Sequence, residues 1–310
     1  MYLFQTTQPM HQYIHVPEKG DPSSVQQIFS GYNVQLLCCR YWWLKQWDSK
    51  NMSFPYWRVY WNKTPGGLIT YKEKTYELTP DKIYVIPPNT PFSTFIQKPS
   101  SENQEYRLEG GRVDENQSEG ELKAKGYILH LFTHFNIGMP YDHIEPNIFV
   151  FDVKPILKQK LDAITGYLIK ENEHFNFFSS LMIHSLISDL LSMIPEEQWN
   201  IVSTDSRILN ILHYIEQNIE SNLSNDVLAD RSNLATNAFT RLFRDETGIS
   251  PQRFVKKRRI DRACMLLHHT DMTIDEVADQ TGFADRYHFS RIFKQITGYS
   301  PGSYKKSFRL

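Results

Sequence analysis

Apolar side chains along this chain change rhythm twice. Up to about residue 153 they come in short runs: VQLLCCRYWW (34–43), YWRVYWN (56–62), LITY (68–71), KTYEL (74–78), KIYVIP (82–87), FSTFI (92–96), YILHLFTHFN (127–136) and NIFVFDV (147–153). Thr64-Pro65-Gly66-Gly67, Thr79-Pro80-Asp81 and Pro87-Pro88-Asn89 punctuate them. Runs rich in β-branched and aromatic residues between Pro, Gly and Asn predict the antiparallel strands of a barrel or sandwich. The polar, acidic stretch from Pro99 to Gly126 predicts a long mobile loop. From Pro155 to Ile194 the apolar positions recur every three or four residues, which predicts two helices. Gly166 and the polar ENEHFN segment weaken the continuity between them. Pro195 to Thr204 reads as a linker, with Asp205 capping the next helix.

The last third is a degenerate repeat. Residues 223–254 read LSNDVLADRSNLATNAFTRLFRDETGISPQRF, and residues 272–304 read MTIDEVADQTGFADRYHFSRIFKQITGYSPGSY. Each copy predicts helix, turn, helix. In the second, Thr273 and Glu276 have capping-box spacing. Ile274, Val277 and Ala278 form the apolar stripe, and Gly282 permits a left-handed turn. Asp285 opens the second helix, with Phe289, Ile292 and Phe293 on its buried side. That leaves Arg286, Tyr287, Ser290, Arg291 and Lys294 facing outward, donors and charges suited to base edges and phosphates. In the first copy Ser224 is the cap, Ala229 the crossing residue and Asn233 the turn residue. Phe239, Leu242 and Phe243 are expected inside; Asn237, Thr240, Arg241 and Arg244 outside. Ser250-Pro251 and Ser300-Pro301 each read as an N-cap followed by proline.

On these motifs, above all GFADRYHFSRIFKQITGYSPGSYKK, residues from about 205 to 310 resemble the DNA-binding domain of the AraC/XylS family of bacterial transcription regulators. The resemblance implies seven helices, with one recognition helix from each unit entering adjacent major grooves. By position it places base reading on Asn237, Thr240 and Arg241, and on Arg286, Tyr287, Ser290 and Arg291. Ala235 departs from the family, which often has Ser or Thr there to cap the first recognition helix.

Net charge is -1 over 310 residues, so bulk charge does not announce a nucleic-acid partner. Its distribution does, because from Arg231 onward basic residues outnumber acidic ones about two to one. Lys256-Lys257-Arg258-Arg259 is a candidate phosphate contact or a solvated helix face. Cys38, Cys39 and Cys264 show no metal-ligand or disulfide spacing. The N-terminus lacks a signal pattern and no apolar run reaches membrane-span length, so a cytoplasmic protein with no membrane association is expected.

The strand-rich half resembles the cupin-like effector domain of sugar-responsive members of the same family, through LITYKEKTYELTPDKIYVIPPNTPFSTF and ILHLFTHFNIG. Strand alternation puts His130, Phe132, His134 and Asn136 on one face, Arg40 with Trp42 on another strand, and Arg58 with Tyr56 and Tyr60 opposite Trp57 and Trp61. Arg40, Trp42, His130, Phe132 and His134 are the candidate ligand contacts. Aromatic faces suit a sugar ring, and Arg and His suit its hydroxyls. The His130-x-x-x-His134 spacing puts more than ~12 Å between the two on a strand, too far for one ion, so no metal or cofactor is expected.

The expected fold class is α+β. Residues 1–153 form an antiparallel β-barrel of the cupin-like jelly-roll kind, 154–204 a helical hairpin and linker, and 205–310 an all-α double helix-turn-helix domain with units at about 223–247 and 272–297. The expected partners are double-stranded DNA, a small-molecule effector of sugar type, RNA polymerase if the protein activates, and a second copy of the chain. Two alternatives stand beside this reading. One is a regulator with no effector, controlled by a protein partner or by expression level; the other is an enzyme on a cupin scaffold, for which no metal cluster or nucleophile–base pair is visible.

Overall fold

The computed structural model describes residues 33–96, 106–171, 175–199 and 205–307. Nine strands come first, with one short helix among them: β1 (Gln35–Met52), β2 (Trp57–Asn62), β3 (Leu68–Tyr71), β4 (Lys74–Glu77), β5 (Lys82–Ile86), β6 (Phe92–Phe95), β7 (Tyr106–Arg112), α1 (Glu119–Ala124), β8 (Ile128–Asn136) and β9 (Phe149–Asp152). They form one antiparallel sheet, in the order β4-β3-β6-β1-β8-β2-β5-β9 with β7 also on β1. It curls into a half-barrel, which with the helical C-terminal region makes the mixed fold expected. β1 is long enough to pair with β8, β7 and β6 in turn, and the register shifts along it bend the strand from one partner to the next.

One expectation for the half-barrel needs correction. The stretch from Pro99 to Gly126 is not simply a loop, because β7 and α1 lie within it; residues 97–105 fall outside the described residues. Gly110 and Gly111 hid the strand. A Cβ on Gly111 would sit 2.9 Å from the Trp43 indole, so the strand passes Trp43 only without a side chain there. The two helices expected after the strands are separate, and Gly166 lies inside the first, α2 (Pro155–Lys170), four residues before its end.

The central ladder β1–β8–β2 decides which side chain goes where. Tyr41, Leu131 and Trp61 stand in one row, and Cys39, Thr133 and Val59 in another. Their side pairs with α2 and α3 (Phe177–Ser192), where Leu157, Leu161, Ile164, Ile183, Leu186, Ile187 and Leu190 close a core around Trp57, Trp61 and Phe135. Trp42, His130 and Asn62, then Arg40, Phe132 and Tyr60, then Cys38, His134 and Arg58 form the alternate rows. Directly opposed residues in an antiparallel sheet share a face, so these rows share the other side.

Seven helices follow: α4 (Ser206–Gln217), α5 (Asn225–Arg231), α6 (Thr236–Thr247), α7 (Pro251–His269), α8 (Ile274–Gln280), α9 (Arg286–Thr297) and α10 (Pro301–Ser307). Their caps follow the sequence. Asp205 accepts from Arg207 N–H, Thr273 and Glu276 complete the capping box, and Asp285 accepts from His288 N–H. Ala235 makes no side-chain cap on α6, and Ser250 occupies the cap position of α7 without a side-chain bond. Asn233 (φ 54°) and Gly282 (φ 71°) take the left-handed conformation in the two turns. At Gly282 a Cβ would also lie 2.7 Å from the Glu220 carbonyl oxygen, which locks glycine into the second turn.

α7 joins the two units. Phe254 and Val255 belong to the core of the first; Ile260, Ala263, Cys264, Leu266 and Leu267 belong to that of the second. Half of its basic run is structural rather than available to phosphate. Arg258 donates from Nε and Nη2 to the two oxygens of Glu216 at 2.5 and 2.9 Å, and pairs with Asp261 at 3.2 Å. Arg259 donates to the carbonyls of Ile219 and Ser221. Lys256 and Lys257 remain exposed.

Removing Arg258 leaves Glu216 and buried Asp261 facing each other uncompensated. Arg258→Ala is expected to lower stability by roughly 3–5 kcal/mol, read as the urea unfolding midpoint of the helical region; an unchanged midpoint would refute the structural role.

Candidate nucleic-acid interface and ligand cavity

Helices α6 and α9 bury one side and expose the other. Phe239 and Phe243 on α6, and Phe289, Ile292 and Phe293 on α9, are buried. Asn237, Arg241, Arg286, Tyr287 and Arg291 are exposed, while Thr240 and Ser290 are half-buried. Tyr287 is 85% exposed, an unusual place for an aromatic ring with nothing to cover it. Thr240 Oγ1 donates to the Thr236 carbonyl, leaving its lone pairs for a base or a water. Arg286 rests on Asp275 of α8 at 3.1 Å, both exposed, a weak pair that a phosphate or a guanine edge can displace. In the first unit Thr236 Oγ1 donates to Asp226 of α5 at 2.8 Å. Each unit thus ties the start of its second helix to an aspartate two residues past the cap of its first.

The other face of the half-barrel holds a cavity of about 370 Å³. Four of the five candidate ligand residues line it: Trp42, His130, Phe132 and His134. Arg40 shares their row but is not in the lining. The cation of the cavity is instead Arg58, two strands over, with Trp47, Tyr60 and Phe92 beside it. Arg58 was legible as a residue of the Tyr56–Tyr60 face, but its strand gave no reason to prefer it to Arg40.

Arg58 is 5% exposed. Its guanidinium lies 3.4 Å from the centroid of the Phe54 ring and donates to Tyr60 Oη at 3.1 Å and Tyr56 Oη at 3.0 Å. Among the described residues no carboxylate pairs with it, and Nε has no hydrogen-bond partner. A buried cation held by rings and hydroxyls is poised to receive an anionic or strongly accepting group. Phe132 lies between the two histidines, stacked on His130 at 5.6 Å and tilted against His134 at 5.3 Å by ring centroids. His130 Nδ1 lies 2.7 Å from Asn62 Oδ1.

One wall of the cavity comes from the helical domain. His268, near the end of α7, lines it, with Nδ1 2.9 Å from Tyr56 Oη. His268 stacks on His269 at 4.5 Å, and His269 lies 5.3 Å from the His134 ring. Met265 packs with Phe54 and Tyr56. No reading of separate domains from sequence could place α7 against the strands.

Burial holds this histidine cluster neutral. His130 is pushed down to about 3 by desolvation. His269 falls to about 4 by desolvation and then by the nearby Arg58 and Arg40 charges. His134 and His268 lie well below the ordinary value for the same first cause. In the unfolded chain each takes up its proton near the ordinary value of about 6.5. The stabilisation is therefore complete above that pH and drains away as pH falls toward the folded values. Urea-derived stability of the wild type should fall between pH 6.5 and 4, and His130→Gln should make that slope shallower by up to about 1.4 kcal/mol per pH unit. Equal slopes would show that His130 is not buried neutral.

Residues 228–307 match the family described as a helix-turn-helix domain. The transcriptional activator RhaS of Escherichia fergusonii is 33% identical over 99 residues, covering 32% of this chain and 36% of that protein. This chain spans between about a third and a half of the length of the curated relatives it matches. Among solved structures, the DNA-binding domain of the transcriptional factor AdpA in complex with a target DNA is 26% identical, covers 34% of this chain and 95% of its own, and has a TM-score of 0.33. ToxT from Vibrio cholerae is 11% identical, covers 92% of this chain and 100% of its own, and has a TM-score of 0.48.

Proposed function

We propose, from the premise that this chain carries the DNA-binding domain of the AraC/XylS family of transcription regulators, that it is a sequence-specific regulator gated by a small molecule held in the half-barrel. The observation that carries the gating is the cavity lined at once by the sheet and by His268 of α7. A ligand there touches both the sensing half and the helix that joins the two reading units. Its affinity must then differ between arrangements of α7 against the sheet, which is the condition for shifting their populations.

The lining favours a sugar, with Trp42, Phe132 and Trp47 for the ring faces and His130, His134 and Arg58 for its oxygens. The charge of Arg58, with no carboxylate partner among the described residues, favours an acidic sugar over a neutral one. On the DNA side, Asn237, Thr240 and Arg241 of α6 and Arg286, Tyr287, Ser290 and Arg291 of α9 are assigned to base and phosphate contact. Exposed Phe177, Phe178 and Leu181 at the start of α3 offer an apolar patch for a second copy of the chain. Activation, with contact to RNA polymerase, is in keeping with the relatives named as activators.

Two measurements test this. Binding sites selected from random duplex DNA should lose roughly 5–150-fold in affinity with Arg286→Ala or Arg291→Ala, the effect of about 1–3 kcal/mol per base contact; unchanged binding in both variants removes α9 from the interface. Thermal unfolding should be scanned against neutral pentoses and hexoses and against uronic acids. A selective shift, abolished by Arg58→Met and His130→Gln, is expected from the acids. No shift from any sugar, in protein that binds DNA, would favour a regulator without a sugar effector.

A further inference from the structure

Beside the cavity the fold assembles three donors that no sequence spacing connects. Cys38 of β1 and His134 of β8 are cross-strand partners, and His269 arrives from the end of α7. One donor atom of each, the thiol sulfur or a ring nitrogen, lies within 4.8 Å of the other two. Two nitrogens of this group are orphaned: His134 Nδ1 and His269 Nε2 are both buried with no hydrogen-bond partner. A buried imidazole nitrogen without a partner is costly, and two of them beside one thiol need an explanation.

We propose that Cys38, His134 and His269 form a site for a thiophilic d10 cation, Cu+ or Zn2+, that clamps the helical domain to the half-barrel. One sulfur and two imidazole donors suit both ions. Metal–donor bonds of about 2.0–2.3 Å in a trigonal array put the donors roughly 3.6 Å apart. Loading therefore draws the three together by up to about 1 Å, pulling α7 toward the sheet. The step is an exchange: the Cys38 S–H proton leaves to solvent and an S–metal bond forms, with no change of oxidation state. Charge balance favours Cu+. Arg58 is the cross-strand neighbour of His134. Replacing H+ by Cu+ leaves the charge of this buried cluster unchanged, whereas Zn2+ adds a positive charge beside Arg58.

The test uses the full-length, reduced protein without DNA or sugar, so that its result is independent of the effector. Zn2+ is titrated against a chromophoric chelator, Cu+ anaerobically against a Cu+ chelator, and Co2+ serves as a probe for a sulfur-to-cobalt charge-transfer band. One equivalent should bind with the band present. Affinity should fall at least tenfold in Cys38→Ser and in His269→Gln, whose side chain is half-buried on the helix surface and so spares the fold if Cys38→Ser does not. Cys39→Ser, on the opposite face of the same strand, should bind as the wild type does. Retention of either ion supports the site and tells which ion it takes. No binding of Zn2+ or Cu+ at one equivalent, or binding indifferent to His269→Gln, overturns it.

Discussion

The pairing register of β1, β8 and β2 is the constraint on which the rest of this molecule depends. In a sheet with a period of two, one residue of slip would exchange the two faces of every strand. Here the exchange would carry Tyr41, Leu131 and Trp61 away from α2 and α3 and push Arg58, His130 and His134 into that dry core. The cost of burying a charged guanidinium among leucines makes the alternative register untenable. The same pairings that build the core therefore aim the cavity. Cys38 and Cys39 show it most simply, since adjacent residues of one strand end in different environments, one beside His134 and one against Thr133.

The second organising element is α7, which has apolar residues on most of its circumference and so must be covered on several sides. It is covered by the first unit near its start, by the second unit along its middle, and by Phe54 and Tyr56 of the half-barrel at Met265. Its polar groups are spent in the same way. Arg258 and Arg259 fasten the first unit, and His268 and His269 reach the sheet. A displacement of the end of α7 is therefore felt by both α6 and α9, since each packs against the same rod.

Much of this was legible in the sequence, and the failures share a cause. Eight of the nine strands were readable because Pro, Gly and Asn mark their ends and aromatic or β-branched residues fill them, although β1 runs past its apolar stretch to Met52. The helical domain was readable down to single caps and the left-handed Asn233 and Gly282, because local signals fix local structure. β7 was missed because YRLEGGR has neither the composition nor the alternation of a strand; its glycines are there for Trp43. The cavity was half legible. Alternation supplied the face but not which of Arg40 and Arg58 turns inward, since that choice is made by Phe54, Tyr56 and Tyr60 around the guanidinium. Contacts of His268 and His269 with the sheet were not legible, because they join residues about 130–210 positions apart with no pattern to link them.

The seam between sheet and α7 has the energetic character a switch needs. Among the described residues the polar links include the Tyr56–His268 hydrogen bond and the Asn136 amide donating to Met265 Sδ at 2.7 Å, a typical hydrogen bond being worth about 1 kcal/mol net, together with a small apolar cluster around Met265. The cores on either side are far larger. A binding event that favours the docked arrangement by about 1.4 kcal/mol shifts the balance tenfold. One hydrogen bond or one covered aromatic face between ligand and His268 supplies a difference of that size. A seam sealed by a continuous apolar core would demand several times as much. Neutral histidines, rather than leucines, stand at this contact, so the seam is held by few and individually modest interactions.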